Sequence, residues 1–225
     1  MNSYRIGLID EDPVDIDFIK RTIYINKPTD INDDQIDFWE VPLSTDSMNN
    51  IINDIVDEII NKRIQILIVD YKIVISTKLF EGTEIFKILS EMIPKFPIIM
   101  LSNLADDCYH KDFVDADKVY SKKDFFKIEE EYSKEKVANI FRNMDKYITQ
   151  RSKLASQLTE QLDSLVTDDY SAERIQSIIE TEKALGNFTP QNQNSVEKAL
   201  DLSELKEVVE ILRNVQELIG DKNED

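Results

Sequence analysis

The chain has 225 residues, 41% hydrophobic and 32% charged, with a formal net charge of −18. That size suits one domain with an appendage or two small domains, and that charge argues against nucleic-acid partners, whose phosphates need Lys and Arg to neutralise them. One cysteine, Cys108, and one histidine, His110, exclude an internal disulfide framework, a cysteine zinc cluster and a histidine-rich metal site.

The start MNSYRIGL lacks a basic region followed by an apolar signal core, and no stretch reaches the ~18 consecutive apolar residues of a membrane span. The expectation is a cytoplasmic protein with no membrane partner. The first apolar run, YRIGLI, ends in Asp10-Glu11-Asp12. Three adjacent like charges repel one another, so water or a cation must solvate them. Asp12 reads as a helix N-cap, Pro13 fits the first helical turn, and Asp15 favours the positive end of the helix dipole. Ile16, Ile19 and Ile23 then recur at helical spacing.

Four further apolar runs follow: QIDFWEV, IQILIV, PIIML and KVYS. IQILIV and PIIML are continuously apolar, as expected of strands covered on both faces. The runs alternate with SMNNIINDIVDEIINK, EGTEIFKILSEMI and the short polar stretch LADDCYHKDFVD. This alternation predicts an α/β fold with a doubly wound, five-stranded parallel sheet over residues 1–130.

An acidic, all-α extension is predicted over 131–225. Val137, Phe141, Met144, Ile148, Arg151, Ala155, Leu158, Leu162 and Leu165 follow at steps of four and three, a heptad seam interrupted by Arg151 on a long helix, 133–167. A second helix is expected at 171–186, carrying Ile175, Ile178, Ile179 and Leu185 and stopped by Gly186 and Pro190. A third is expected at 201–220, with Asp201 and Glu204 as a capping box and NFTPQNQNS as the linker before it. The stripes suit either a coiled-coil homodimer or a small intramolecular bundle.

The chemistry lies at the strand ends. The first strand ends at Asp10 and Glu11, the third at Asp70, the fourth at Ser102 and the fifth at Lys122. In a parallel sheet these ends share one edge, where ligands of open α/β sheets bind. Three carboxylates can hold Mg2+, a hard cation that prefers oxygen ligands. The metal and the Lys122 ammonium would offset charge on a transferring phosphoryl group, with Asp70 as nucleophile and the Ser102 hydroxyl binding a phosphoryl oxygen.

Residues 1 to about 130 resemble a response-regulator receiver domain, through LIDEDP, ILIVDY, IIMLSN and VYSKKDF. The resemblance implies a flavodoxin-like fold, phosphorylation of Asp70 by a histidine kinase or phosphotransfer protein, and Mg2+ held by Asp10, Glu11, Asp70 and the backbone carbonyl of Lys72. It also implies phosphoryl contacts from Ser102 and Lys122. The chain departs from the family pattern in four places. Glu11 replaces the commoner aspartate, Asn103 stands where a small residue is usual, Lys123 replaces a proline, and the loop from Tyr71 to Glu81 is longer than typical. Either Val119 or Tyr120 takes the aromatic switch position.

Other readings compete. A haloacid-dehalogenase-type phosphatase would use Asp10 in a DxDxV motif, but it needs a further acid-tipped strand after the lysine. A receiver used only as a scaffold keeps the fold without phosphotransfer. A long loop after Asp70 and an acidic helical tail also resemble standalone receivers of bacterial defence operons, which act as phosphoryl buffers. For output, residues 151–225 carry 8 Lys/Arg against 16 Asp/Glu and no histidine. DNA output is therefore not expected, and the lack of histidine excludes phosphotransfer by the extension, which leaves protein–protein interaction.

Overall fold

The computed structural model describes residues 3–43, 47–75, 78–103, 116–165 and 172–190. The helix expected at 201–220, most of the linker before it, and the polar stretch with Cys108 and His110 lie outside the described residues. A central sheet holds β1 (Tyr4–Ile9), β2 (Ile36–Glu40), β3 (Ile66–Asp70), β6 (Ile98–Ser102) and β7 (Val119–Ser121). All neighbours are parallel, in the order β2-β1-β3-β6-β7. This is the flavodoxin-like order, with α/β layering and a helical extension, as the alternating runs predict.

Side-chain alternation divides the strands between two faces. Ile6, Leu8, Ile66, Ile68, Ile99 and Leu101 pack with Ile16, Ile19 and Ile23 of α1 (Pro13–Asn26), and with Val137, Ile140, Phe141 and Met144 of α5 (Glu131–Leu165). Ile9, Leu67, Val69, Ile98 and Met100 alternate with that set and are equally buried. The helices α2 (Met48–Ile60) and α3 (Gly82–Met92) bury Ile51, Ile55, Ile59, Ile85, Phe86 and Leu89. Each such aliphatic side chain contributes roughly 1.5–3 kcal/mol when fully buried.

Local chemistry sets the ends of the elements. Asp12 caps α1, its Oδ1 accepting the Val14 N–H at 2.8 Å, with Pro13 in the first turn. At the end of α2, Arg63 N–H donates to the Glu58 carbonyl (2.8 Å) and Lys62 N–H to that of Ile59 (3.0 Å). This is a Schellman closure with Lys62 at φ 58°, a left-handed position usually given to glycine. The long helix starts at Glu131 rather than at Ser133. Ser133 does not cap it, because its Oγ faces the carbonyls of Asp124, Phe125 and Lys127 at 2.7–3.0 Å, around the short helix α4 (Lys122–Phe125).

Two differences from the sequence reading stand out. The segment after Asp70 is not a plain loop but an antiparallel hairpin, β4 (Lys72–Ile75) and β5 (Lys78–Glu81). IVI and KLF supply the β-branched and aromatic residues that favour strands. The seam on α5 is also not uniform. Before Arg151, Val137, Phe141 and Met144 are buried in the sheet core and Ile148 packs half-buried against it, whereas Ala155 and Leu158 are half-buried and Leu162 is exposed.

Arg151 interrupts the seam for a local reason: its Nη1 donates to the Tyr147 hydroxyl (3.2 Å) and the Ile59 carbonyl (3.4 Å). The chain divides into a unit of residues 1–151 with 187–190, and a unit of 152–186 with 191–225. In the first, Phe188 is buried against Tyr147, and Tyr147 packs edge-on to Phe96. The Tyr147 hydroxyl donates to the Phe188 carbonyl, and Lys95 N–H to the Asn187 carbonyl. In the second, the rest of α5 meets α6 (Ala172–Gly186) through Gln161 Nε2 and Ser177 Oγ, 2.9 Å apart. Among the described residues no helix is long and apolar enough to cross a membrane.

Candidate functional site

The carboxyl ends of β1, β3, β6 and β7 bring Asp10, Asp70, Ser102 and Lys122 to one edge of the sheet, as parallel pairing requires. Lys122 opens α4 directly after β7 and is almost wholly buried. Its Nζ lies 2.7 Å from Asp10 Oδ2, 2.8 Å from Asp70 Oδ1 and 2.8 Å from Asp15 Oδ2. Asp10 is buried, Asp70 and Asp15 are half-buried, and Glu11 is exposed.

The remaining oxygens are also engaged. Asp10 Oδ1 accepts the Asp12 N–H at 3.0 Å, and Asp70 Oδ2 accepts the Lys72 N–H at 3.1 Å. The hairpin sets the second contact. Lys72 faces Glu81 in the β4–β5 register, and the Gly82 N–H donates to the Tyr71 carbonyl at 2.7 Å. That bond makes Lys72–Glu81 a non-hydrogen-bonded pair, in which N–H and C=O point away from the partner strand. The Lys72 carbonyl therefore lies on the same edge of β4 as the N–H that reaches Asp70. Ser102 is buried at the end of β6, paired in register with Ser121, and Asn103 after it is exposed. Val119 and Tyr120 are both buried, with Tyr120 stacked on Phe125.

Burial dominates the electrostatics of the two aspartates. It pushes the carboxyls of Asp10 and Asp70 above their ordinary value, although hydrogen bonds from Lys122 pull the other way. Burial pushes Lys122 down, but hydrogen bonds to Asp10, Asp15 and Asp70 outweigh it and leave the ammonium above its ordinary value. One cation among four acids (Asp10, Glu11, Asp15, Asp70) leaves the edge with excess negative charge.

Asp10, Glu11 and Asp70 each offer a carboxylate oxygen, all within 4.8 Å of one another. An octahedral ion with ~2.1 Å bonds places neighbouring ligands about 3 Å apart, so side-chain rotation is needed to close this set around one. A donor set of oxygens only, with surplus negative charge, fits a hard divalent cation.

All the strand-end residues expected at this edge are there. Asp15 was not anticipated as a member: its place in the first turn of α1 explains it as a dipole partner, and only the fold puts it on Lys122. Nothing in its spacing from Asp10 distinguishes the two roles. Comparison with protein families, with curated proteins and with solved structures finds no match to this chain.

Proposed function

We propose that the chain is a receiver protein of a two-component phosphorelay, accepting a phosphoryl group on Asp70 from a histidine kinase or phosphotransfer protein in a Mg2+-dependent reaction. The observation that carries this reading is the meeting of Lys122 Nζ with Asp70 Oδ1 and Asp10 Oδ2 at the carboxyl edge of the β2-β1-β3-β6-β7 sheet. An Asp70 oxygen attacks phosphorus, the P–O bond forms as the P–N bond to histidine breaks, and the departing nitrogen takes a proton. Asp10, Glu11, Asp70 and the Lys72 carbonyl would hold Mg2+, which supplies positive charge to the phosphoryl oxygens. Lys122 adds its ammonium, and Ser102 offers a hydroxyl.

A dehalogenase-type reading would make Asp10 the nucleophile. Its side chain is only 2% exposed, whereas that of Asp70 is 12% exposed. On this reading output runs through protein contacts of the acidic extension, without DNA and in the cytoplasm. Any homodimer it forms draws on residues after Arg151, such as Leu162, since Val137, Phe141 and Met144 are committed to the core.

The test is phosphorylation by acetyl phosphate, read by intact-mass spectrometry, together with beryllofluoride binding. Both are expected to need Mg2+ and to vanish in Asp70→Asn. Failure of the native chain in both would leave the scaffold reading. Turnover of p-nitrophenyl phosphate would favour the phosphatase.

A further inference from the structure

Asp15 is the one carboxylate on Lys122 that lies outside the cation-binding set. Its Oδ2 takes the ammonium at 2.8 Å, yet the oxygens that close on one point belong to Asp10, Glu11 and Asp70. The other two partners of Lys122 are shared between both roles. Asp10 and Asp70 each give one oxygen to Lys122 and the other to a backbone N–H. A divalent cation drawing on those carboxylates shares them with Lys122 and weakens their hold on its ammonium.

We infer that Asp15 is a positioning residue: it keeps hold of the Lys122 ammonium when Asp10 and Asp70 turn their oxygens to a divalent cation. Without it, Lys122 has only the cation's own ligands as partners, and metal binding draws their charge away from a buried ammonium. A buried charge that loses its partners is strongly disfavoured. Asp15 supplies an anchor that the cation does not contest, so lysine and metal can occupy one edge together. This inference rests on the cation site of the proposed receiver function, and extends it to a residue that the sheet edge itself does not supply.

Free Mn2+ measured by electron paramagnetic resonance tests it, because the readout needs no phosphotransfer. Asp15→Asn keeps the shape and removes the charge. Asp12→Asn removes the same charge from the same cluster without touching Lys122, and asparagine still caps α1. Asp15→Asn is expected to weaken Mn2+ binding on the order of tenfold, and Asp12→Asn distinctly less. In a Lys122→Gln background the effect of Asp15→Asn is expected to shrink to that of Asp12→Asn. Equal losses in Asp15→Asn and Asp12→Asn, or an Asp15→Asn loss undiminished in Lys122→Gln, would overturn the inference and leave only a general field of acids. If Lys122→Gln does not fold, the comparison of the two single variants decides alone. Absence of Mn2+ binding by the native chain would overturn the cation site itself, and the inference with it.

Discussion

Gly82 approaches Asp70 so closely that a Cβ on the glycine would overlap the Asp70 carbonyl oxygen and come within 2.8 Å of Val69 Cγ1. The contact joins the start of α3 to the end of β3, and so fixes the backbone from which the Asp70 carboxylate projects. Gly82→Ala must push one of the two backbones away. We expect a loss of roughly 2–3 kcal/mol in urea denaturation, together with weaker binding of Mg2+. A variant as stable as the native chain would show that the contact relaxes freely.

The raised carboxyls of Asp10 and Asp70 give divalent-cation binding a pH signature. A carboxyl raised on folding adds stability while protonated and loses it as pH rises through its folded pKa. A cation reverses that loss, since it binds only the carboxylates. The rise in Tm on adding Mg2+ is expected to be large at neutral pH, and to fade while pH is still above the ordinary carboxylate value of about 4. An increment undiminished down to that value would count against the site.

Lys122 follows the same rule at the other end of the pH scale. Its ammonium is raised on folding despite burial, so its contribution is complete below the unfolded lysine value of about 10.4 and is lost only as pH climbs through the higher folded one. Lys122→Met leaves Asp10 and Asp70 without their cation. The expected cost at neutral pH is about 3–5 kcal/mol. The deficit should shrink in mild acid, where the carboxyls take up protons, and on adding Mg2+. Denaturation curves at two pH values, with and without the ion, measure both recoveries.

At the end of α2, Lys62 occupies a left-handed conformation at φ 58°. Glycine adopts that conformation without a Cβ clash, so Lys62→Gly is expected to raise stability by about 0.5–1 kcal/mol in chemical denaturation. Unchanged or lower stability would mean that the lysine stem packs usefully there.

Phe188 fills a place among aromatic rings, 5.8 Å from the Tyr147 ring centroid, in a segment that follows the last described helix. Phe188→Ala is expected to cost about 3 kcal/mol and to expose residues 187–190 to proteolysis. Protection equal to that of the native chain would show that the backbone bonds from Lys95 and Tyr147 hold the segment unaided.

Sequence made the fold legible because period and burial agree in it. ILIV and IIML are apolar throughout, and their strands are covered on both faces. The site followed from topology, since an acid, a hydroxyl or a lysine at the end of each strand must meet once the strands are parallel. What escaped was relational. Asp15 looks the same in sequence whether it answers a helix dipole or a lysine from the far end of the sheet. Arg151 looks like a flaw in a heptad until Ile59 and Tyr147 stand beside it. The hairpin after Asp70 was hidden because KIVI and KLFE are too short to read as strands outside a sheet. Phe188 sits within NFTPQNQNS, where composition suggests a linker and gives no hint of a buried ring.

The β4–β5 hairpin bears on the thermodynamics of ion capture. In a simple loop, the ion would have to immobilise the residues after Asp70, at an entropic cost of about 1–2 kcal/mol for each residue ordered. Here the ladder from Lys72–Glu81 to Ile75–Lys78 already fixes them, and the Lys72 carbonyl is oriented before any ion arrives. On the proposed receiver reading, coordination is then expected to be fast, with little loss of conformational entropy and little change in the hydrogen exchange of the hairpin amides.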